Sequence, residues 1–195
     1  MSAPDGIRIV PLRPEDRDAV RQAAELLVEG FRDNWPEAYP HMDEALAEMA
    51  EFATDPERSA WAAVDADGRV VGWIGGIRQY DGNVWELHPL VVGTAYQGRG
   101  IGRALVQALA DAARAAGAYT LWLGSDDVSE MTSIGGVDLY PGVLDRLREI
   151  RNLRNHPFGF YQRLGFELVG VMPDANGPGK PDIFLAMRLR GPGGE

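Results

Sequence analysis

The sequence predicts a mixed α/β fold of the α+β type, built on one sheet. Three observations predict it. Short apolar, β-branched-rich stretches recur between Gly, Pro, Asn and Asp clusters, apolar stripes at helical spacing separate some of them, and tight-turn signals join others into hairpins. At 195 residues the chain is about one domain on a scale of roughly 100–200 residues each, and the expectation is one domain over residues 1–190 with a loose tail at 191–195.

Gly6 to Leu12 alternates as a first strand, and Pro14-Glu15-Asp16 then supplies the proline and acids of a first helical turn. Ala19, Ala23, Leu26, Leu27 and Phe31 lie at helical spacing, Asn34-Trp35-Pro36 reads as loop, and a second helix runs from about His41 to Phe52. Ala60 to Val64 and Val70 to Ile77 flank Asp65-Ala66-Asp67-Gly68-Arg69, a hairpin signal that makes them antiparallel. Asp81-Gly82-Asn83 turns into a strand from Val84 to Val92, where Pro89 cannot donate to a ladder and marks a bulge or an opened edge. A helix from Ile101 to Ala116 carries the stripe Ile101, Leu105, Ala108, Leu109, Ala112 and closes at Gly117. Tyr119 to Leu123 is a fifth strand. Residues 125–140 are an acid-bearing loop, and helices follow over Val143 to Leu153 and Phe158 to Leu164. Phe166 to Val171 and Ile183 to Leu189 are the last strands, joined by the turn-rich segment 173–181.

Composition narrows the function. The chain is 45% hydrophobic and has no cysteine, so it can bury a core without disulfides, and thiolate metal sites and cysteine nucleophiles are excluded. Three histidines, His41, His88 and His156, leave little for an imidazole cluster, and no metal is expected. Twenty-nine acids against 19 bases give a net charge of −10, which argues against nucleic acid and anionic membranes and favours a cationic partner. The N-terminus lacks a basic-then-apolar leader and no long apolar run occurs, so a cytoplasmic location is expected.

Gln97-Gly98-Arg99-Gly100-Ile101-Gly102-Arg103 lies between a strand and a helix, where main-chain N–H groups and the positive helix end converge on an anion. That arrangement suits a diphosphate. Arg103 occupies the place of the third small residue of a dinucleotide-binding turn, and the Gly-Lys-Ser/Thr of a phosphate-binding P-loop is absent.

Gln97-x-x-Gly100-x-Gly102, opening a helix after a proline-interrupted strand, resembles the acetyl-CoA pyrophosphate loop of the GNAT N-acetyltransferase superfamily, and Phe160-Tyr161-Gln162-Arg163-Leu164-Gly165-Phe166 resembles its second signature. Trp85 to Val92, Leu123 to Asp127, Gly136 to Pro141 and Gly170 to Asp182 further resemble the aminoglycoside 6'-N-acetyltransferase subgroup. The resemblance covers roughly residues 6–190. It implies a mostly antiparallel mixed sheet splayed between the fourth and fifth strands with helices on both faces, acetyl-CoA as donor (CoA as product), and direct transfer to an amine in a ternary complex. It also implies that the pantetheine arm lies along the fourth strand, where Leu90, Val91 and Val92 offer main-chain donors.

The resemblance makes Tyr161 the general acid toward the leaving thiolate and Asp126 the base. Glu86 and His88 share one strand face and are alternative proton acceptors, as is a water relay. Superfamily members commonly place a CoA-contacting asparagine seven residues before the tyrosine; here that position is Arg154, and Asn155, one place on, is the candidate contact. Asp127 and Asp138, with Glu86 and Asp126, are candidates to pair with substrate ammonium groups, and Trp35 and Tyr80 to offer flat faces to sugar rings. Arg146, Arg148, Arg151 and Arg154, interleaved with acids, read as a solvated face. Two other functions remain open: an acetyltransferase for another amine (polyamine, peptide or protein terminus) and a non-catalytic CoA-binding regulator. Many superfamily members are dimers, which leaves a homodimer open.

Overall fold

The computed structural model describes residues 3–32, 35 and 37–191; Asn34 and Pro36 of the expected loop, and positions 192–195 of the expected tail, lie outside them. The chain divides into two compact units, Met1–Tyr119 with Leu189–Glu195, and Thr120–Arg188.

In the first unit β1 (Arg8–Pro11), β2 (Arg58–Val64), β3 (Val70–Gln79) and β4 (Val84–Val92) pair antiparallel in chain order. The hairpin turn between β2 and β3 is fixed by Asp65, whose carboxylate accepts the N–H groups of Asp67 and Arg69. Helix α1 (Arg17–Phe31) starts at Asp16, whose side chain accepts the Ala19 N–H at 3.1 Å, and buries Ala23, Ala24, Leu26 and Leu27. With α2 (Met42–Thr54) it covers the face of β3 that carries Trp73. Trp73 is fully buried, and its indole N–H donates to the Ala23 carbonyl at 3.0 Å.

Consecutive strand residues point to opposite faces, and Gly75 and Gly76 show which helix lies on each. A Cβ at Gly75 would run into the Phe52 ring of α2 and the His88 carbonyl; one at Gly76 would meet Leu109 of α3 (Ile101–Ala115) and Trp85. The helices of this unit therefore occupy both faces of its sheet. The β3–β4 register breaks where Pro89 predicts it: Leu87 pairs with Gly76 and Leu90 with Ile74, so His88 and Pro89 together oppose Gly75. The extra residue reverses the alternation. Leu87 lies on the α3 side, whereas Val91, beyond the bulge, packs against Gly30 of α1.

In the second unit β5 (Thr120–Asp126) and β6 (Glu167–Met172) both pair antiparallel with β7 (Asp182–Arg188). β5 runs three residues past the predicted end because Ser125 and Asp126 find partners in Ile183 and Asp182. Helix α4 (Val143–Arg148) is shorter than predicted. Residues 151–154 leave the helix to pair with the preceding loop: Leu153 and Arg154 donate to the Met131 carbonyl, Thr132 bridges Asn152, and Arg151 and Ser133 exchange bonds. The short α5 (Phe158–Gln162) follows. Among the described residues no helix is long and apolar enough to cross a membrane.

Candidate active site

The glycine loop is built as its sequence requires. Gly98 (φ +74°) and Gly100 (φ +87°) adopt backbone angles that L side chains resist, and no atom lies within 4 Å of a Cβ built at Gly98. Residues 97–100 are exposed. Among the described residues, no hydrogen-bond acceptor takes the N–H groups of Gly98, Arg99, Gly100, Ile101, Gly102 or Arg103; the last three are the orphan donors of the first turn of α3. No acid occurs in that turn. Gln97 reaches back to the Val92 carbonyl at 3.0 Å and ties the loop to β4. Arg99 stacks over Tyr96 at 5.4 Å, whose hydroxyl donates to Asp65. Tyr96, Arg99 and Ile101 line a cavity of about 240 Å³ together with Asp5, Asp65 and Asp67. Loop, helix dipole and Arg99 together form an anion cradle.

On β4, the ladder with β3 carries Leu90 to Val92 opposite Ile74 to Gly72. Upstream, Glu86 is half-buried and accepts the Gln79 side-chain amide at 2.6 Å. His88 is exposed, with its Nε2 3.9 Å from a Glu48 carboxylate oxygen. Glu48, on α2, also pairs with Arg58 at 3.3 Å and is hydrogen-bonded to Tyr39, whose phenol is pushed up by burial and by the Glu48 charge. His88 thus belongs to a connected polar group with Glu48, Arg58 and Tyr39 on the α2 side, while Glu86 pairs with Gln79. Tyr39, Glu48 and Arg58 were not legible as members, because only tertiary packing joins them. Trp35 is half-buried, its backbone N–H bonded to Phe31. Tyr80 is 75% exposed, in the turn before β4, where it lines a cavity of about 650 Å³ with Arg78 and Trp85.

In the second unit the two neighbouring acids separate. Asp126 ends β5, half-buried, with one carboxylate oxygen accepting the side-chain amide of Asn176. Asp127 is 1% exposed, and its two oxygens accept the N–H groups of Met131 at 2.6 Å and Thr132 at 2.9 Å. The expectation that Asp127 meets substrate ammonium is therefore corrected: its carboxylate faces inward and holds the loop. Asp138 is exposed and folds onto the Tyr140 N–H; Asn155 is exposed in a left-handed turn (φ 57°). Tyr161 is buried on α5 between Phe160 and Phe166, with ring centroids at 5.1 and 5.6 Å, and burial pushes its phenol pKa up. Arg154 does not join a free basic face, since its guanidinium donates to the Ser129 and Glu130 carbonyls.

His156 is the main omission of the sequence reading. It is 1% exposed, and its ring contacts both the Asp126 carbonyl, at 3.0 Å, and the Phe158 N–H, at 3.2 Å.

These features define an α/β protein with an anion cradle at a helix start and carboxylates at strand ends. The family model of the GNAT acetyltransferase family matches residues 21–135. Among solved structures, an aminoglycoside 6'-N-acetyltransferase complexed with coenzyme A is 39% identical over 94% of this chain and 98% of that one, with a TM-score of 0.85. The aminoglycoside 6'-N-acetyltransferase from Enterococcus faecium is 40% identical at the same coverage, 94% and 98%, with a TM-score of 0.84. A spermidine/spermine N-acetyltransferase from Vibrio cholerae, 16% identical over 94% of this chain and 93% of that one with a TM-score of 0.60, shares the fold alone. No curated protein matches the sequence. The chain belongs to the GNAT acetyltransferase family.

Proposed function

We propose that the protein transfers the acetyl group of acetyl-CoA to the 6'-amine of an aminoglycoside. The observation that carries this reading is the near-full-length likeness, at 39–40% identity, to two enzymes bearing that activity in their names. The spermidine-acetylating neighbours, at 14–16% identity, speak only to fold. A cytoplasmic setting, where acetyl-CoA is held, accords with it.

The residues fit the donor. Six consecutive main-chain N–H groups without internal acceptors, an open Gly98 and the Arg99 guanidinium suit a diphosphate, and the loop holds no carboxylate to repel it. Bound acetyl-CoA supplies a thioester open to attack by an amine, with CoA leaving as the thiol. Main-chain donors among Leu90, Val91 and Val92 are placed to polarise the acyl oxygen in this reading. The substrate amine arrives mostly as ammonium, and Asp126, Glu86, His88 or a water relay takes its proton. Tyr161 is the proposed donor, hydrogen-bonding the sulfur as it departs. Asp138, exposed and acidic, and the faces of Trp35 and Tyr80 are the proposed sugar contacts.

Release of free thiol from acetyl-CoA tests the function, with kanamycin or tobramycin compared against spermidine and a peptide. Turnover with the aminosugars alone is the expected result. Turnover confined to spermidine or the peptide, or CoA binding without turnover, would replace the proposal.

A further inference from the structure

We infer that His156 is a positioning residue that ties the Asp126 end of β5 to the helix carrying Tyr161. The imidazole is buried, and both ring nitrogens are engaged. Nδ1 accepts the N–H of Phe158, the first residue of α5, so it carries no proton; the ring proton sits on Nε2 and donates to the Asp126 carbonyl. Three residues after Phe158, Tyr161 lies on the same short helix. One rigid ring therefore sets the distance between the strand end that carries the Asp126 carboxylate and the helix that carries the Tyr161 phenol.

The ring is itself held. Asn152 accepts the His156 N–H at 2.7 Å and donates to the His156 carbonyl at 2.8 Å, gripping both sides of its backbone. Phe158 packs against the imidazole at 5.5 Å between centroids. Asn176 holds the Asp126 carboxylate from the segment before β7, so the main chain and side chain of Asp126 are fixed by different residues. A histidine needed only to fill the core would be replaceable by an apolar residue of similar size; this one satisfies a donor and an acceptor at opposite ends of its ring.

The inference rests on the proposed roles of Asp126 and Tyr161, and two conservative variants separate the ends of the link. His156→Asn keeps an acceptor near the Nδ1 position and loses the donor to Asp126. His156→Gln keeps a donor near the Nε2 position and loses the acceptor for Phe158. The expected results are a fall of about tenfold in kcat for each variant with the acetyl-CoA KM unchanged, and for His156→Asn, which loosens the proposed proton acceptor, a changed pH profile of kcat as well. Asp126→Asn and Tyr161→Phe are measured beside them. If those two are impaired while both His156 variants behave as wild type, the link is overturned and the roles stand. Should Asp126→Asn and Tyr161→Phe be unimpaired, the roles themselves fall and the link with them. Equal losses in every parameter, acetyl-CoA KM included, reduce His156 to a folding residue and also overturn the link. If the variants do not fold, histidine nitrogen NMR of the wild-type chain decides: a neutral ring protonated at Nε2 supports the link, and protonation at Nδ1 contradicts it.

Discussion

Asp127 and Thr132 are joined by a buried hydrogen bond, the Thr132 N–H donating to Asp127 Oδ2 at 2.9 Å, while Met131 donates to the other oxygen at 2.6 Å. A carboxylate so satisfied, with 1% of its residue exposed, organises the turn after β5. Asp127→Ala leaves the buried Thr132 N–H and the part-buried Met131 N–H without acceptors and is expected to lower unfolding free energy by about 2–4 kcal/mol. Denaturant unfolding checks the loss, and the aminoglycoside KM of the folded fraction should stay within about twofold of wild type.

How β4 is shaped gives a second prediction. The bulge at His88 and Pro89 presses the His88 carbonyl toward Gly75, with Phe52 behind it. Gly75→Ala has no room for its methyl group and is expected to destabilise by about 1–3 kcal/mol, the usual range for overpacking. Thermal unfolding measures it. A variant as stable as wild type would show that the strands do not approach this closely.

The strands were legible because their patterning is local. Asp65 to Arg69 announces the first hairpin and Pro89 the bulge, and the glycine loop shows in five consecutive positions. Asp127 was misread although a signal existed: Leu121, Leu123, Ser125 and Asp127 are all buried, so the alternation that marks β5 continues one step past it and turns Asp127 inward and Asp126 out. The early end of α4 left no local trace, since residues 151–154 are drawn off by bonds to residues 131–133. Glu48 beside His88, and Asn176 on Asp126, are likewise contacts between segments 40 and 50 residues apart, beyond any periodicity. His156 offered a second missed clue: Asn152 four residues earlier is spaced to clasp its backbone.

Gly100 carries a third prediction. At φ +87° it directs the loop into α3, beside N–H groups with no internal acceptor. Gly100→Asp strains that turn and sets a negative charge in the anion cradle, and CoA affinity is expected to fall by at least about tenfold. Calorimetric titration with CoA measures this. Unaltered affinity in a folded variant would remove the loop from the donor site.

Acid should weaken the fold through His156. Burial lowers its pKa below the ordinary 6.5, so the folded state resists a proton that the unfolded chain accepts. Its contribution is fully present above about pH 6.5 and is lost as pH falls below that value, because the unfolded state then binds more protons. Unfolding free energy measured from pH 7.5 down to 5 should decline more steeply for wild type than for His156→Gln. Parallel slopes would mean that the imidazole titrates alike in both states.

The most direct measurement is the identity of the product formed from acetyl-CoA and kanamycin, read by mass spectrometry and proton NMR. A single acetyl group on the 6'-amine is predicted, with one CoA released for each. Acetylation at another amine of the sugar, or none while spermidine is acetylated, would contradict the assignment.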